Sequence, residues 1–430
     1  MVRSDIRHFA TGQKLNITLL LPFCNFPVKD RPLKTRNIIL PLFALLCIQA
    51  PRAQQSQLDV DFFGEKILLP AVPAVITAEN NLISSGTITE FINHLNSQDL
   101  NPLISSLLEL KEKYQLDNWL YYQLIRKTAG TISPKQDNYP RYTLYKWYLL
   151  TRSGFDASIK ISAEKILFYV RTDDQVYNIP AYYKDGHQYV CLNYHDYGNQ
   201  IDFNTESFRE LNLPVPENGH PFSYKVTKLP AFKTAVYEEK DIQFNYYQND
   251  YHFTIKLNPA VKTIFANYPV LDYASYFNIP ISQETYRSLI PLLKKNTSGM
   301  SVKGGVDYLM RFTRYAFMFK PDAENFGTEK RLSPEQTLLY GESDCEDRAA
   351  LFFFLVREIY NLPMIVLAYP QHVTIAIKFD KPIGKSILYK GEKYSVCDPT
   401  PQKEDLAIGQ LLPSLAKTGF EVVYAYQPKR

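Results

Sequence analysis

The sequence predicts an α+β chain, and three observations carry that expectation. One helix, within Gly341–Leu362, has an eight-residue apolar run, Ala349–Val356, and so no polar face; such a helix is buried at the centre of a domain. Strand-like runs joined by short polar turns follow it directly. Elsewhere, as at Ile242–Tyr246 and Tyr251–Leu257, apolar and polar residues alternate at period two, as in a half-buried sheet. The 430 residues, 45% hydrophobic and 21% charged, suffice for two or more cores. Aromatics reach 14%, with 32 tyrosines, which fits strand-rich domains; a surface for glycans or cell-wall polymer is the sharper reading. The net charge of +4 is not clustered, which argues against nucleic acid as a partner.

Residues 1–53 read as a leader and are set apart from the fold. Lys34 and Arg36 precede the apolar stretch Ile38–Ala50, Ala50 or Ala53 fits a cleavage position, and polar Gln54–Gln57 would open the mature chain. The preceding 33 residues are long for a signal and point to a start codon placed too early. The apolar run is too short and proline-interrupted to span a membrane well. Leu46 stands where a lipoprotein needs a small residue, which rules against lipidation of Cys47. The expectation is an exported chain, periplasmic or secreted, with no stable membrane insertion after leader removal.

In order, Leu58–Phe63 and Lys66–Ala74 read as strands; Thr87–Leu95, Leu103–Tyr114, Asp117–Thr128 and Tyr142–Thr151 read as helices. Ala157–Ile161, Lys165–Arg171 and His187–Leu192 read as strands, the last after a turn at Asp185-Gly186. A proline-bearing, β-rich connector spans 196–240 and leads into the hairpin 242–257. Ser301–Phe317 is an amphipathic helix, and Ser333-Pro334 opens a short one ending near Tyr340.

The chemistry concentrates after that point. Ser343 or Asp344 can cap the buried helix, with Glu346 and Asp347 in its first turn, and Cys345 lies there as well. Unpaired N–H groups and the helix dipole at that place favour a thiolate. Met364–Tyr369 reads as a strand, and His372 opens the next one after Pro370-Gln371. Tyr394–Thr400 is a third short strand reaching Asp398. Nucleophile, base and imidazole orienter thus follow in order as Cys345, His372 and Asp398. The oxyanion of a tetrahedral intermediate needs donors: the Cys345 backbone N–H is the first, and Tyr340 is expected as a second. Cys397 should face away from Asp398, into the core. With Cys191 it leaves an odd count and no CxxC pair, so neither a disulfide framework nor a zinc site is expected, and Gly304-Gly305 and Gly341 form no phosphate loop. No cofactor or metal is therefore assigned.

The pattern D-C-x-D-R-A, then H-V-T-I-A-I, then V-C-D-P-T resembles the transglutaminase-like superfamily of papain-type thiol enzymes, over roughly residues 301–413. It is most similar to the bacterial branch with D-C-E-D and D-P-T signatures. The resemblance implies a central helix packed on an antiparallel sheet. It also implies thioester formation at a carboxamide or peptide carbonyl, on a protein, peptide or peptidoglycan-peptide substrate. Hydrolysis is the expected outcome, since no calcium-site pattern favours the animal crosslinking type. An amine-accepting transglutaminase and a non-catalytic scaffold with a vestigial triad are the alternatives.

The element order recurs within the chain. Asp59–Phe62 parallels Asp241–Phe244 at a spacing of 182 (241 − 59), Asp137–Arg141 parallels Asp344–Arg348 at 207 (344 − 137), and Tyr183–Cys191 parallels Tyr389–Cys397 at 206 (389 − 183). The organisation expected is a degenerate, non-catalytic copy at 57–195 and a catalytic copy at 241–430. In this register Asn138, Lys165 and Leu192 stand where the second half has Cys345, His372 and Asp398.

Overall fold

Described residues of the computed structural model are 57–72, 83–214, 218–327 and 329–428. The expected leader lies outside them. The chain is α+β with antiparallel sheets, and its elements run in two parallel series.

The first series opens with a hairpin, β1 (Gln57–Phe62) and β2 (Glu65–Pro70), closed by the two-residue turn Phe63-Gly64. Helices α1 (Ser85–Ser97), α2 (Asn101–Tyr114) and α3 (Asn118–Ile132) follow. Their limits are written in local chemistry: Ser84 and Thr87 form a reciprocal capping box before α1, and Gln115 ends α2 in the left-handed region. The fourth helix, α4 (Tyr139–Arg152), has Asn138 as its N-cap, accepting the Arg141 N–H. Strands β3 (Ala157–Ile161), β4 (Ile166–Thr172), β5 (Val176–Tyr177), β6 (Ala181–Lys184), β7 (His187–Cys191) and β8 (Arg209–Glu210) complete the series. Five of them form one sheet in the order β6-β7-β4-β3-β8. Part of the expected connector thus belongs to this sheet, because β8 pairs with β3.

The second series repeats the order. The hairpin β9 (Glu238–Tyr246) and β10 (Asn249–Leu257) is longer than its alternating core suggested, and turns at Tyr247-Gln248. Then come α5 (Ala260–Ile264), β11 (Val270–Leu271), α6 (Tyr273–Tyr276), α7 (Gln283–Thr297) and α8 (Val302–Tyr315). Next are β12 (Met318–Phe319), α9 (Asp322–Asn325), α10 (Pro334–Tyr340), β13 (Glu342–Ser343) and the buried helix α11 (Cys345–Tyr360). Strands β14 (Met364–Tyr369), β15 (His372–Ile377), β16 (Ser386–Tyr389), β17 (Glu392–Cys397) and β18 (Glu421–Tyr426) close the chain. Their sheet order is β16-β17-β15-β14-β18, which is the first sheet's order, strand for strand.

Caps and ladders refine the register between the series. Asn138 and Asp344 are both N-caps, so Tyr139 rather than Asn138 corresponds to Cys345, at 206 residues (345 − 139). Across the sheets Tyr169 pairs with Cys191 as Ile375 pairs with Cys397, again 206 apart (375 − 169), which sets Ile166 opposite His372. The sequence match slipped by one because it aligned Asp137 with the capping Asp344. The capping amide itself is Asn138, a chemical equivalent of that aspartate.

The two series share one core, and residues of both belong to it. Trp119 on α3 donates its indole N–H to the Ile264 carbonyl at 2.9 Å, and the Tyr268 hydroxyl donates to the Tyr224 carbonyl at 2.7 Å. Strand β5 pairs with β11, tying the first series to the segment that precedes α6. Among the described residues no helix is long and apolar enough to cross a membrane.

Candidate active site

Helix α11 is central for the reason its sequence suggested: Ala349 through Val356 are all buried. It packs against β15, and the Cys345 sulfur at its start faces the backbone N–H of Val373, the second residue of that strand. Gly341, at φ +76°, ends α10 in the left-handed region and turns the chain into this start. Asp344 caps α11 by accepting the Glu346 and Asp347 N–H groups at 3.0 and 3.2 Å. Asn361, also left-handed, ends the helix before Pro363.

The acidic first turn anchors rather than reacts. Glu346 accepts from the Arg331 Nε–H at 2.6 Å and from the Tyr273 hydroxyl at 3.1 Å. Asp347 is fully buried and accepts the Leu332 N–H at 2.7 Å and the Tyr276 hydroxyl at 3.2 Å. Arg348, also fully buried, donates to the Thr313, Arg314 and Phe317 carbonyls at the C-terminal end of α8. These otherwise unpaired carbonyls thereby gain a cationic cap.

His372 and Asp398 meet directly, with His372 Nε2 2.9 Å from Asp398 Oδ2. The aspartate side chain is wholly buried and its second oxygen, Oδ1, accepts the Thr400 N–H at 3.0 Å. That contact is the turn expected of Asp-Pro-Thr. An ionised carboxylate only accepts, so Nε2 carries the ring proton and Nδ1 is left as the basic nitrogen. Arg314 on α8 fixes the same loop, donating to the Asp398 carbonyl, to Asp405 and to the Leu406 carbonyl. Nothing in sequence spacing marked Arg314 for this role, since 84 residues separate it from Asp398 (398 − 314).

Cys345 is the one described cysteine that is not fully buried; Cys191 and Cys397 are core residues. Its sulfur faces the Val373 N–H, next to His372, and lies within the field of Asp398. The expectation of a resting thiolate is corrected here. Burial first, and the Asp344 carboxylate second, push the Cys345 thiol up to about 12, against the opposing pull of the Val373 N–H. Burial and the acidic N-cap both disfavour the thiolate, so a base is needed to take the thiol proton.

Tyr340 ends α10, its ring edge-on to Phe326 at 5.4 Å and 4.7 Å from the Lys262 ammonium. Burial raises its hydroxyl pKa, which keeps it a proton donor.

The corresponding place in the first series is filled by a different network. The Tyr139 hydroxyl donates to Asp196 at 2.9 Å and accepts from the Asn193 amide at 2.8 Å. Asp196 also pairs with Lys135 at 2.7 Å and with the buried Lys146 at 3.7 Å. Ile166 and Leu192 supply neither base nor orienter.

No model of a known protein family matches the chain, and no curated protein matches it.

Proposed function

We propose that this chain is an exported thiol enzyme of the transglutaminase-like type, and that Cys345, His372 and Asp398 carry its chemistry. The observation behind this reading is the buried His372–Asp398 pair, 2.9 Å apart, beside the first residue of a central helix that bears the half-buried cysteine. In this mechanism His372 Nδ1 takes the thiol proton as Cys345 Sγ attacks a carboxamide or peptide carbonyl carbon. The oxyanion is met by the Cys345 backbone N–H, which Asp344 leaves uncapped, and by the Tyr340 hydroxyl. The C–N bond then breaks, the leaving amine takes the proton from His372, and a Cys345 thioester remains. Water deprotonated by His372 releases the acid and restores the thiol; a primary amine in its place would give transfer. We read release as hydrolysis, with a protein, peptide or peptidoglycan-peptide as substrate. The first series is read as a non-catalytic copy of the same fold, its site occupied by Tyr139 and Asp196.

Trapping the thioester tests the reading. A panel of such peptides is incubated with the full chain, quenched in acid and analysed by intact mass, with hydroxylamine added to a second aliquot. An adduct on Cys345, lost with hydroxylamine and absent in Cys345→Ala, is the expected result. Turnover that persists in Cys345→Ala would sink it.

A further inference from the structure

The sheet order β16-β17-β15-β14-β18 brings the end of β17, the start of β15, the end of β14 and the start of β18 to one rim. Along that rim Asp398 follows β17, His372 opens β15, Tyr369 closes β14 and Phe420 precedes β18. Tyr369 and His372 are direct partners across the β14–β15 ladder, and such partners put their side chains on the same face. The histidine is therefore flanked by its aspartate on one side and by Tyr369 on the other.

Beyond Tyr369 the rim opens into a groove of about 490 Å³, lined by Ala368, Tyr369, Pro370, Gly419, Phe420 and Glu421. Phe420 is 38% exposed, and its ring centroid lies 5.4 Å from that of Tyr369. Tyr369 is only 6% exposed, yet its hydroxyl has no hydrogen-bond partner among the described residues. Burial first, and the Asp398 carboxylate second, raise the pKa of that hydroxyl, so it stays a proton donor. A buried donor left unmet beside an open groove is a place where a ligand's carbonyl relieves a desolvation cost. Glu421 is exposed at the groove's outer lip and gives it a negative charge.

The thiol chemistry gives this groove a direction. His372 hands a proton to the leaving amine, so the part of the substrate on the amine side of the scissile bond passes over the imidazole. Cys345 holds the acyl part, and Asp398 fills one flank of the imidazole. The flank left for the amine-side residue is the one that Tyr369 and Phe420 line.

We propose that this groove is the subsite for the residue on the amine side of the cleaved bond, and that it selects a peptide with an apolar or aromatic side chain there. Two rings and a proline supply the apolar contact, and an acidic side chain would meet the like charge of Glu421. The assignment rests on the Cys345 acyl-enzyme proposed above.

Capture of an acyl-enzyme by an amine is the reverse of amine departure, so it reads the same subsite without a known acyl sequence. The full chain is treated with 4-nitrophenyl acetate: Cys345 Sγ bonds to the acetyl carbon, 4-nitrophenolate leaves, and the thiol proton passes to His372. Glycinamide, leucinamide, phenylalaninamide or aspartic acid α-amide then competes with water for the thioester. The amine nitrogen bonds to the acetyl carbon, the C–S bond breaks, and the proton given up by the amine restores the thiol. The ratio of N-acetyl amide to acetate, at equal amine concentration, is the readout, and changes in acylation rate cancel from it. Leucinamide and phenylalaninamide should capture at least about tenfold more acetyl than glycinamide, and aspartic acid α-amide less. Phe420→Ala should bring phenylalaninamide to within about threefold of glycinamide, and Glu421→Gln should raise capture by aspartic acid α-amide. Leu388→Ala, which removes an exposed apolar side chain on the opposite edge strand β16, keeps the wild-type ratios. Should Phe420→Ala fail to fold, the exposed Glu421→Gln decides. Equal capture of the amides by the wild type, or a phenylalaninamide preference unchanged in Phe420→Ala, would overturn the subsite and leave the thiol chemistry standing. A wild-type chain with no nitrophenolate burst beyond that of Cys345→Ala would overturn both.

Discussion

At the scale of the residue, the site turns on where one proton resides. With the Cys345 thiol pushed up to about 12, its thiolate fraction at neutral pH is smaller than that of a free cysteine. A raised pKa means that reactivity toward a simple electrophile keeps growing as pH rises. The alkylation rate of Cys345 with iodoacetamide should therefore increase about tenfold per pH unit through pH 9 and beyond. A plateau below pH 8 would mean that cysteine and histidine already form an ion pair at rest. The Asp398 carboxylate fixes the imidazole tautomer, so Asp398→Asn should keep the fold yet lower kcat by roughly 10²–10⁴-fold. Circular dichroism beside steady-state kinetics separates the two effects, and a kcat within twofold of wild type would remove Asp398 from the mechanism. All three of these residues were legible in the sequence, because each ends or begins an element with its own local signature: a cap, a turn, an Asp-Pro. The thiol's protonation state was not legible. It depends on burial and on a capping aspartate whose charge opposes the helix dipole, and neither has a sequence spacing.

At the scale of the element, α11 is held by polar contacts at its start and by apolar packing along its length. Arg348 bridges it to the last turn of α8 and to Phe317 just beyond with three carbonyl contacts of 2.8 to 3.0 Å inside the core. Arg348→Met would keep the volume but orphan those carbonyls, at a cost of about 3–5 kcal/mol. Urea unfolding with the midpoint read at constant m-value checks this, and a loss below about 1 kcal/mol would show that water replaces the guanidinium. The same contacts explain which elements the sequence missed. Helices and strands with an apolar face were found nearly to their ends, as α2 and β14 show. The short edge strands β6 and β8 are exposed or nearly so, and β16 is half-buried at best; pairing rather than patterning defines them. The edge strand β18 lies far along the chain and joins β14 only through long-range closure of the sheet.

At the scale of the whole molecule, two series with the same strand order share one core rather than standing as separate bodies. Their junction is built from contacts that neither series can satisfy by itself. Strand β11 has β5 as its partner, the Ile264 carbonyl receives the Trp119 indole, and Tyr268 packs against Trp119 at 5.2 Å between ring centroids. The junction also reaches the site: β11 leads into Tyr273, and Arg331, held by the Leu271 carbonyl, binds Glu346 beside Cys345. Removing residues 57–237 would expose the large apolar surface around Ile264, Phe265 and Leu271 and strip β11 of its ladder. A chain beginning at Glu238 should therefore be insoluble or lack a cooperative unfolding transition, even though it retains Cys345, His372 and Asp398. Expression of that fragment beside the chain from Gln57, followed by thermal melting of both, is the measurement. A soluble fragment that melts cooperatively and still forms the Cys345 adduct would show the first series to be a detachable accessory. Co-expression of 57–237 restoring solubility to the fragment would instead locate the requirement in the shared core, where the β5–β11 ladder and the Trp119 contact place it.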